Sequence, residues 1–393
     1  MSDEPLASRF VPGPIEARWQ AAWQRRDAFR APEGTDRPTF SLVLPPPNVT
    51  GVLTLGHILG DTVMDVLARR ARMRGLATLW VPGIDHAGLA TQVEVRRRLA
   101  REGVRFDQLS RDDALRALAA WKDEHELRIQ EQMRAGGFSV DWSRYRYTMD
   151  PASRRATREA FVGLFRAGLV YRGERLVNWD PRLRTAISDL EVVRSEEDDE
   201  LIVARYRWAD GTAGGIDVAT VRPETIFGDV AVAVHPDDER HQASVGRTVV
   251  VPLVDRKVPV VADPAVDPTF GAGALKVTPR HDAVDREVFL RHPGLATPEE
   301  IFDEEARLVG PWVPEAFRGL SREEARAKAV EALAAAGLLE RRERYRHSVA
   351  RSERSEAVIE PRLSTQWFVR MAPLAEPVVE GVRRREIRNH PER

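Results

Sequence analysis

Two short stretches of this chain bring histidine and aspartate to the ends of apolar runs, at His57 and at Asp85-His86. The first is Pro45-Pro46-Pro47-Asn48-Val49-Thr50-Gly51-Val52-Leu53-Thr54-Leu55-Gly56-His57. Ahead of it Thr39–Leu44 is apolar and β-rich; behind it Leu59, Val63, Val66 and Leu67 recur at helical spacing, toward Arg74 and Gly75. A strand that enters a helix through a Gly-containing turn aims backbone N–H groups and a positive dipole end at one point. That point suits phosphate, and it is where open α/β sheets bind ligands. An ordinary βα connection fits the same pattern equally well. In the second stretch, Ala77–Val81 leads into Pro82-Gly83-Ile84-Asp85-His86-Ala87-Gly88, which sets a carboxylate and an imidazole at a strand's carboxyl end.

The elements that must position these groups follow from periodicity and punctuation. Pro14–Phe29 carries Ile15, Trp19, Ala22 and Trp23 on one helical face, and a helix is expected from about Ala90 to Arg101. Ser110-Arg111-Asp112-Asp113 reads as a capping box opening a long helix, with Leu115, Leu118 and Ala119 starting its buried face and Gly136-Gly137 ending it. Asp150-Pro151 opens a further helix that closes near Gly168. Strands alternating with such helices predict a parallel, doubly wound sheet. From Leu201 to about Pro279 the texture changes to short β-rich runs separated by turns, which predicts a compact β barrel or sandwich. Ser321-Arg322-Glu323-Glu324 caps an alanine-rich helix ending at Gly337, and Gln366–Val369 reads as a strand re-entering a sheet.

At 393 residues the chain is long enough for two or three domains at about 150 residues each. With 42% hydrophobic and 31% charged residues it has both a core and a solvated surface, which excludes bulk disorder. The net charge of −1 conceals an arginine-rich first half and the acidic run Glu196–Glu200; arginine suits a polyanionic partner, although the overall balance does not require one. No cysteine is present, so disulfides, thiolate-bound zinc and Cys nucleophiles are excluded together. Met1–Pro5 shows no signal-peptide pattern, and no window approaches the roughly 18 apolar residues of a membrane span. A cytoplasmic protein without a membrane partner is expected.

Pro45–His57 together with Pro82–Gln92 resembles the valyl-tRNA synthetase family of class I aminoacyl-tRNA synthetases. The first segment matches that family's P-P-P-N-V-T-G followed by its H-x-G-H signature, and the second its P-G-x-D-H-A-G-I/L-A-T-Q signature. The resemblance continues through Asn178-Trp179, Ser188–Val192, Thr220–Thr225, Gly271–Asp285 and Gln366-Trp367-Phe368, so it spans essentially the whole chain. It implies an α/β class I nucleotide-binding fold, doubly wound, of which residues 1–190 form the first part. A β-barrel-like editing domain would occupy 191–347, and 348–393 would return to the catalytic fold. It implies L-valine, ATP with Mg²⁺, and tRNA(Val) as substrates and partners, a monomer, and hydrolytic editing of threonyl-tRNA(Val). By resemblance Gly56 and His57 face the ATP phosphates, Asp85 holds the ammonium of valine with Asn48 close by, and Pro45 lines the apolar pocket. Thr220, Arg222, Phe270, Lys276, Thr278, Asp282 and Asp285 belong to the editing pocket, with Asp282 on the amino group and Asp285 on the threonine hydroxyl.

Several positions depart from the family pattern. Thr54 replaces the first signature histidine; its hydroxyl can bond a phosphate oxygen but carries no charge. Ala272 stands in place of threonine and Arg280 in place of alanine, the latter a candidate tRNA contact. Where many relatives have Cys-x-x-Cys pairs, this chain reads Asp180-Pro181-Arg182-Leu183 and Ser352-Glu353-Arg354-Ser355, so no zinc is expected there. No K-M-S-K-S loop, anticodon-binding domain or coiled coil is found, and the chain resembles the N-terminal part of the enzyme. The expectation is a fragment that does not aminoacylate alone. The alternative is a stand-alone editing deacylase or tRNA-binding module.

Overall fold

The computed structural model describes residues 11–389, so Met1–Pro5 and the last residues of the return segment lie outside the described part. The chain divides into two compact units, Met1–Leu169 and Val170–Arg393.

The first unit runs α1 (Pro12–Arg26), β1 (Thr39–Val43), α2 (Leu55–Met73), β2 (Ala77–Val81), β3 (Gly83–Ile84), α3 (Leu89–Arg101), α4 (Arg111–Ala135), β4 (Arg146–Tyr147) and α5 (Pro151–Arg166). The helix starts follow the caps read from the sequence. Ser110 Oγ accepts the Asp113 N–H at 3.1 Å, and Asp150 accepts the Ser153 N–H at 2.7 Å with Pro151 beginning the helix. β1 and β2 pair in parallel, Thr39 opposite Ala77 through Val43 opposite Val81, and β3 pairs in parallel with β4. The doubly wound sheet thus appears as two narrow parallel pairs among the described residues.

The core of this unit joins Leu44, Val49 and Leu53 to Trp80, Ile84, Ile129, Met133, Phe138 and Val140. Two expectations fail here. Leu59, Val63 and Val66 are 69%, 56% and 59% exposed, so the apolar stripe of α2 faces solvent, and its buried positions are Asp61, Ala68 and Ala71. Periodicity reports that a helix has an apolar face, not what covers that face. On α4, Leu118 is buried but Leu115 and Ala119 are exposed.

The second unit runs β5 (Val170–Asp180), β6 (Thr185–Ile187), β7 (Val192–Arg207), β8 (Gly215–Thr220), β9 (Ala231–Val234), β10 (Thr248–Val250), β11 (Lys257–Ala262), β12 (Ala274–Val277), α6 (Ala283–Arg291), α7 (Arg322–Ala335), β13 (Leu339–Ser352), β14 (Glu360–Val369) and α8 (Ala372–Arg383). One sheet has the order β10-β11-β9-β12, a second β13-β7-β8, and a third β14-β5-β6. The first two sandwich a core that includes Ile202, Tyr206, Val218, Phe227, Val232, Val249, Val258, Phe302 and Leu333. A single bridge, Trp208 to Val249, joins β7's end to β10, while β8 and β12 approach without a ladder. The described strands therefore form no closed barrel.

The acidic run has a structural explanation. Glu196–Glu200 lies in β7 opposite arginine-rich β13, with Arg342 on Glu200 and Arg351 clamping Glu197 at 2.6 Å. Opposite charges across a ladder stabilise the pairing and fix its register. The boundary expected at 190/191 falls inside this second unit, which already begins at Val170.

Candidate functional sites

Residues 45–57 and 82–88 meet through backbone geometry. Beyond the β1–β2 ladder, Asn48 and Asp85 form a parallel bridge in which the Val49 N–H reaches Asp85 O at 3.0 Å and the Asp85 N–H reaches Pro47 O at 2.9 Å. The three prolines lack donors, so the segment cannot extend the ladder until Val49. Helix α4 braces the turn from behind: Trp121 Nε1 donates to Val49 O at 2.7 Å, and Gln132 Oε1 accepts the Leu53 N–H at 2.8 Å. The Asp85 carboxylate accepts the Thr148 hydroxyl at 2.8 Å, and the N-cap of α3 is Gly88, so Asp85 does not cap that helix. His86 lies 2.7 Å from the Tyr147 hydroxyl, and burial pushes its pKa below the ordinary value. Pro45, Asn48, Gly56 and His57 are exposed.

Thr54 makes a local contact within the structure. It caps α2, and His57 is the third residue of that helix. His57 Nδ1 accepts the Thr54 N–H at 3.1 Å and lies 2.8 Å from Thr54 Oγ1. With Nδ1 accepting, the neutral imidazole carries its proton on Nε2. The hydroxyl is thus engaged with His57.

In the second unit a cavity of about 430 Å³ is lined by all seven residues assigned to the editing pocket: Thr220, Arg222, Phe270, Lys276, Thr278, Asp282 and Asp285. Local chain geometry gathers them. Lys276 and Thr278 are two residues apart at the end of β12, hence on one face. A turn closed by the His281 N–H on Thr278 O then delivers Asp282 to the cap of α6 and Asp285 to its first turn. Asp282 Oδ1 accepts the Val284 and Asp285 N–H groups at 2.8 and 3.1 Å.

Lys276 and Asp285 are only 7% and 3% exposed, so these two are not solvated surface charges, whereas Asp282 is exposed. Burial pushes the Asp285 carboxyl up to about 7 against the opposing pull of Lys276, with the Asp282 carboxylate adding to the rise. A carboxyl poised there can donate to or accept from a hydroxyl. Arg222 is tied into the wall, donating to His281 O at 3.0 Å and to the buried Glu360 carboxylate. The carboxylates around Arg222 outweigh its burial and raise its pKa, whereas burial holds His281 well below the ordinary histidine value and therefore neutral.

Arg280 and Ala272 do not line the cavity. Arg280 faces Glu300 at 3.5 Å, which also pairs with Arg362, so it is not a cation on the cavity rim. Sequence reasoning missed Tyr345 and His347, which join Phe270 at the mouth; the Phe270 and Tyr345 rings meet edge to face at 5.7 Å. Their spacing of two along one strand was the available signal. It also missed Asp229, Tyr206 and Glu360, buried polar residues whose partners lie elsewhere in the chain.

At the places where relatives carry cysteine pairs, Ser355 Oγ donates to the buried Asp180 carboxylate at 2.6 Å, and Asp180 also accepts the Arg182 and Leu183 N–H groups at 2.9 Å. Among the described residues no group of three or more His, Cys, Asp or Glu side chains could hold a metal ion, and no helix is long and apolar enough to cross a membrane.

A strand–turn–helix connection in an α/β unit, with a second stretch of chain that folds a separate β-rich cavity, accords with a class I synthetase. Residues 18–393 match the family described as tRNA synthetases class I (I, L, M and V), and the chain belongs to it. Within that family it is similar to proteins named valine–tRNA ligase. That of Carboxydothermus hydrogenoformans is 45% identical over 388 residues, 99% of this chain and 44% of the relative. That of Coxiella burnetii is 47% identical over 387 residues, 98% and 41% respectively, and that of Thermotoga maritima 45% identical over 391 residues, 99% and 44%. The chain therefore spans less than half the length of each of these relatives. A solved complex titled as a LeuRS–tRNA–LeuAMS ternary complex from Agrobacterium radiobacter overlaps 90% of this chain and 47% of its own at 18% identity, with a TM-score of 0.41, too loose a likeness to carry argument.

Proposed function

We propose that this chain serves valine–tRNA ligation. Its first unit carries residues for activating L-valine with ATP, taken with Mg²⁺, for transfer to tRNA(Val), and its second unit carries a cavity that hydrolyses threonyl-tRNA(Val). The observation that carries the reading is the convergence of Thr220, Arg222, Phe270, Lys276, Thr278, Asp282 and Asp285 on one cavity. Threonine is nearly isosteric with valine, and an apolar pocket rejects the added hydroxyl by only about 10², a magnitude already known for valyl enzymes rather than obtained from this structure. A second pocket built from Asp282, Asp285, Lys276 and Thr278 has the donors and acceptors to recognise that hydroxyl and the amino group. Water adds to the ester carbonyl there, the bond to the tRNA ribose oxygen breaks, and threonine and tRNA with a free hydroxyl are released. For the activation site the support is the Asn48–Asp85 bridge, which sets an amide and a carboxylate side by side at the strand ends. Gly56 and His57 would serve the phosphates from the start of α2.

We read 191–347 as the editing domain and 1–190 with 348–393 as parts of the nucleotide fold. The sandwich core, which runs from Ile202 to Leu338, lies wholly within the first of these ranges. The test is release of threonine from threonyl-tRNA(Val) by the 393-residue chain. Hydrolysis is expected for the parent and a loss of at least about tenfold for Asp282→Ala, the scale of one lost binding contact; equal rates would refute the site assignment. One observation favours a second reading, a deacylase that acts without ligation: the whole cavity is built within one compact unit, while the activation residues are exposed. Robust valine-dependent pyrophosphate exchange by the same chain would overturn this second reading, because a deacylase alone shows none.

A further inference from the structure

Beneath the cavity floor lies a carboxylate that none of the sequence motifs contains. Asp229 follows Gly228 at the entry to β9 and is fully buried. A side chain on Gly228 would place its Cβ 2.8 Å from Thr278 Cγ2, so glycine here allows the two segments to approach. Asp229 Oδ1 accepts the Thr278 hydroxyl at 2.7 Å and lies 3.6 Å from Lys276 Nζ, while Oδ2 accepts the Tyr206 hydroxyl at 2.6 Å. Lys276 Nζ in turn donates to Thr278 Oγ1 at 2.6 Å.

Counting protons gives this arrangement a direction. A threonine hydroxyl has one hydrogen, and here it goes to Asp229, so Thr278 Oγ1 can only accept from any other group. The Lys276 ammonium has three donors: one goes to Thr278, one faces Asp229, and the third remains for the cavity that the side chain lines. Tyr206 occupies the far carboxylate oxygen and prevents Asp229 from rotating to offer both oxygens to Lys276.

We propose that Asp229, held by Tyr206, is a positioning residue for deacylation: it fixes Lys276 and Thr278 so that the ammonium presents one N–H to the carbonyl of an aminoacyl ester. This rests on the editing function proposed above. Asp229 itself touches no substrate, and its effect runs through the two residues that line the cavity.

The test uses the whole 393-residue chain with threonyl-tRNA(Val) as probe. Asp229→Asn leaves the volume unchanged but weakens the hold on Lys276; misplacing a group by about 1 Å reduces turnover about 10²-fold, so kcat should fall by that order with KM changed less than about twofold. Tyr206→Phe removes one bond and should give a smaller loss in the same direction, which keeps the test usable if Asp229→Asn does not fold. In a Lys276→Met background Asp229→Asn should lose most of its effect and keep only the part that runs through Thr278, whereas a merely structural role would add its full loss. A second readout needs no activity: the ¹⁵Nζ signal of the Lys276 ammonium should be protected from solvent exchange in the parent and lost in Asp229→Asn and Tyr206→Phe. Parental kcat in Asp229→Asn, or an unchanged Lys276 signal, overturns the proposal. A parent chain with a protected Lys276 signal and no hydrolysis overturns the editing function and leaves the positioning geometry standing.

Discussion

Replacing Asp285 by asparagine should stabilise the chain in alkaline solution more than in acid. The carboxyl is pushed up to about 7 from an ordinary value of 3.8, chiefly by burial. A group whose folded pKa is raised contributes stability that is complete below its unfolded pKa and is lost as pH rises through the folded one. The parent should therefore weaken between about pH 4 and pH 8, as ionisation is forced on a buried group. At pH 8 the loss from this group is about 4 kcal/mol and at pH 5 about 1.5 kcal/mol, at about 1.36 kcal/mol per pH unit. Asparagine does not titrate, and its side-chain oxygen can still accept the Thr278 N–H that Asp285 accepts at 2.7 Å. The stability difference between variant and parent should thus move by about 3 kcal/mol in the variant's favour from pH 5 to pH 8, whatever the constant offset of the substitution. Urea midpoints of the whole chain, followed by far-UV circular dichroism at both pH values, measure it. Parallel pH profiles for the two proteins would refute the placement of a protonatable carboxyl in this cavity.

Glu360 is the buried counter-charge of Arg222, and Glu360→Ala should destabilise the chain by about 3 kcal/mol, read from denaturant unfolding, because it strands a guanidinium. On α2, combined Leu59→Gln, Val63→Gln and Val66→Gln should change stability by less than about 0.5 kcal/mol each and raise soluble yield, since that face is exposed. Thr54→Ser and Thr54→Val should both preserve the ¹⁵N shifts that report Nε2 protonation of His57, because the backbone N–H of residue 54 still donates to Nδ1 in either variant; a move to Nδ1 protonation would refute the tautomer. Ser355→Ala should lower stability by about 1 kcal/mol in the same unfolding assay by leaving Asp180 short of a donor.

The segments that gather the sites were legible because their signals are local. Ser110, Asp150 and Ser321 each satisfy orphan N–H groups within three residues, so the helices they open could be placed from sequence. Lys276 through Asp285 behave likewise, since a strand alternation and a helix cap act within ten residues of each other. What escaped depends on partners far along the chain. The Glu196–Glu200 run shows no partner in its own stretch of sequence because its arginines come more than 130 residues later, in β13. Asp229 carries no local pattern at all: it stands alone between a glycine and a four-residue buried strand, and only Tyr206 and Thr278, in other parts of the fold, give it a purpose.

The two candidate sites differ in how their charges are held, and that difference bears on what each can do. In the second unit Lys276, Asp229 and Asp285 are buried, so their interactions act in low dielectric and the geometry is fixed before any ligand arrives. In the first unit the backbone is equally well braced, by Trp121 and Gln132 of α4, yet Asn48, Thr54 and His57 face solvent. Their hydrogen bonds to a phosphate or a carboxylate compete with water until something excludes it. Ester hydrolysis, the activity proposed for the cavity, calls for such a preorganised pocket. Adenylate formation requires water to be kept from a reactive anhydride, a requirement that the exposed Asn48, Thr54 and His57 do not meet by themselves.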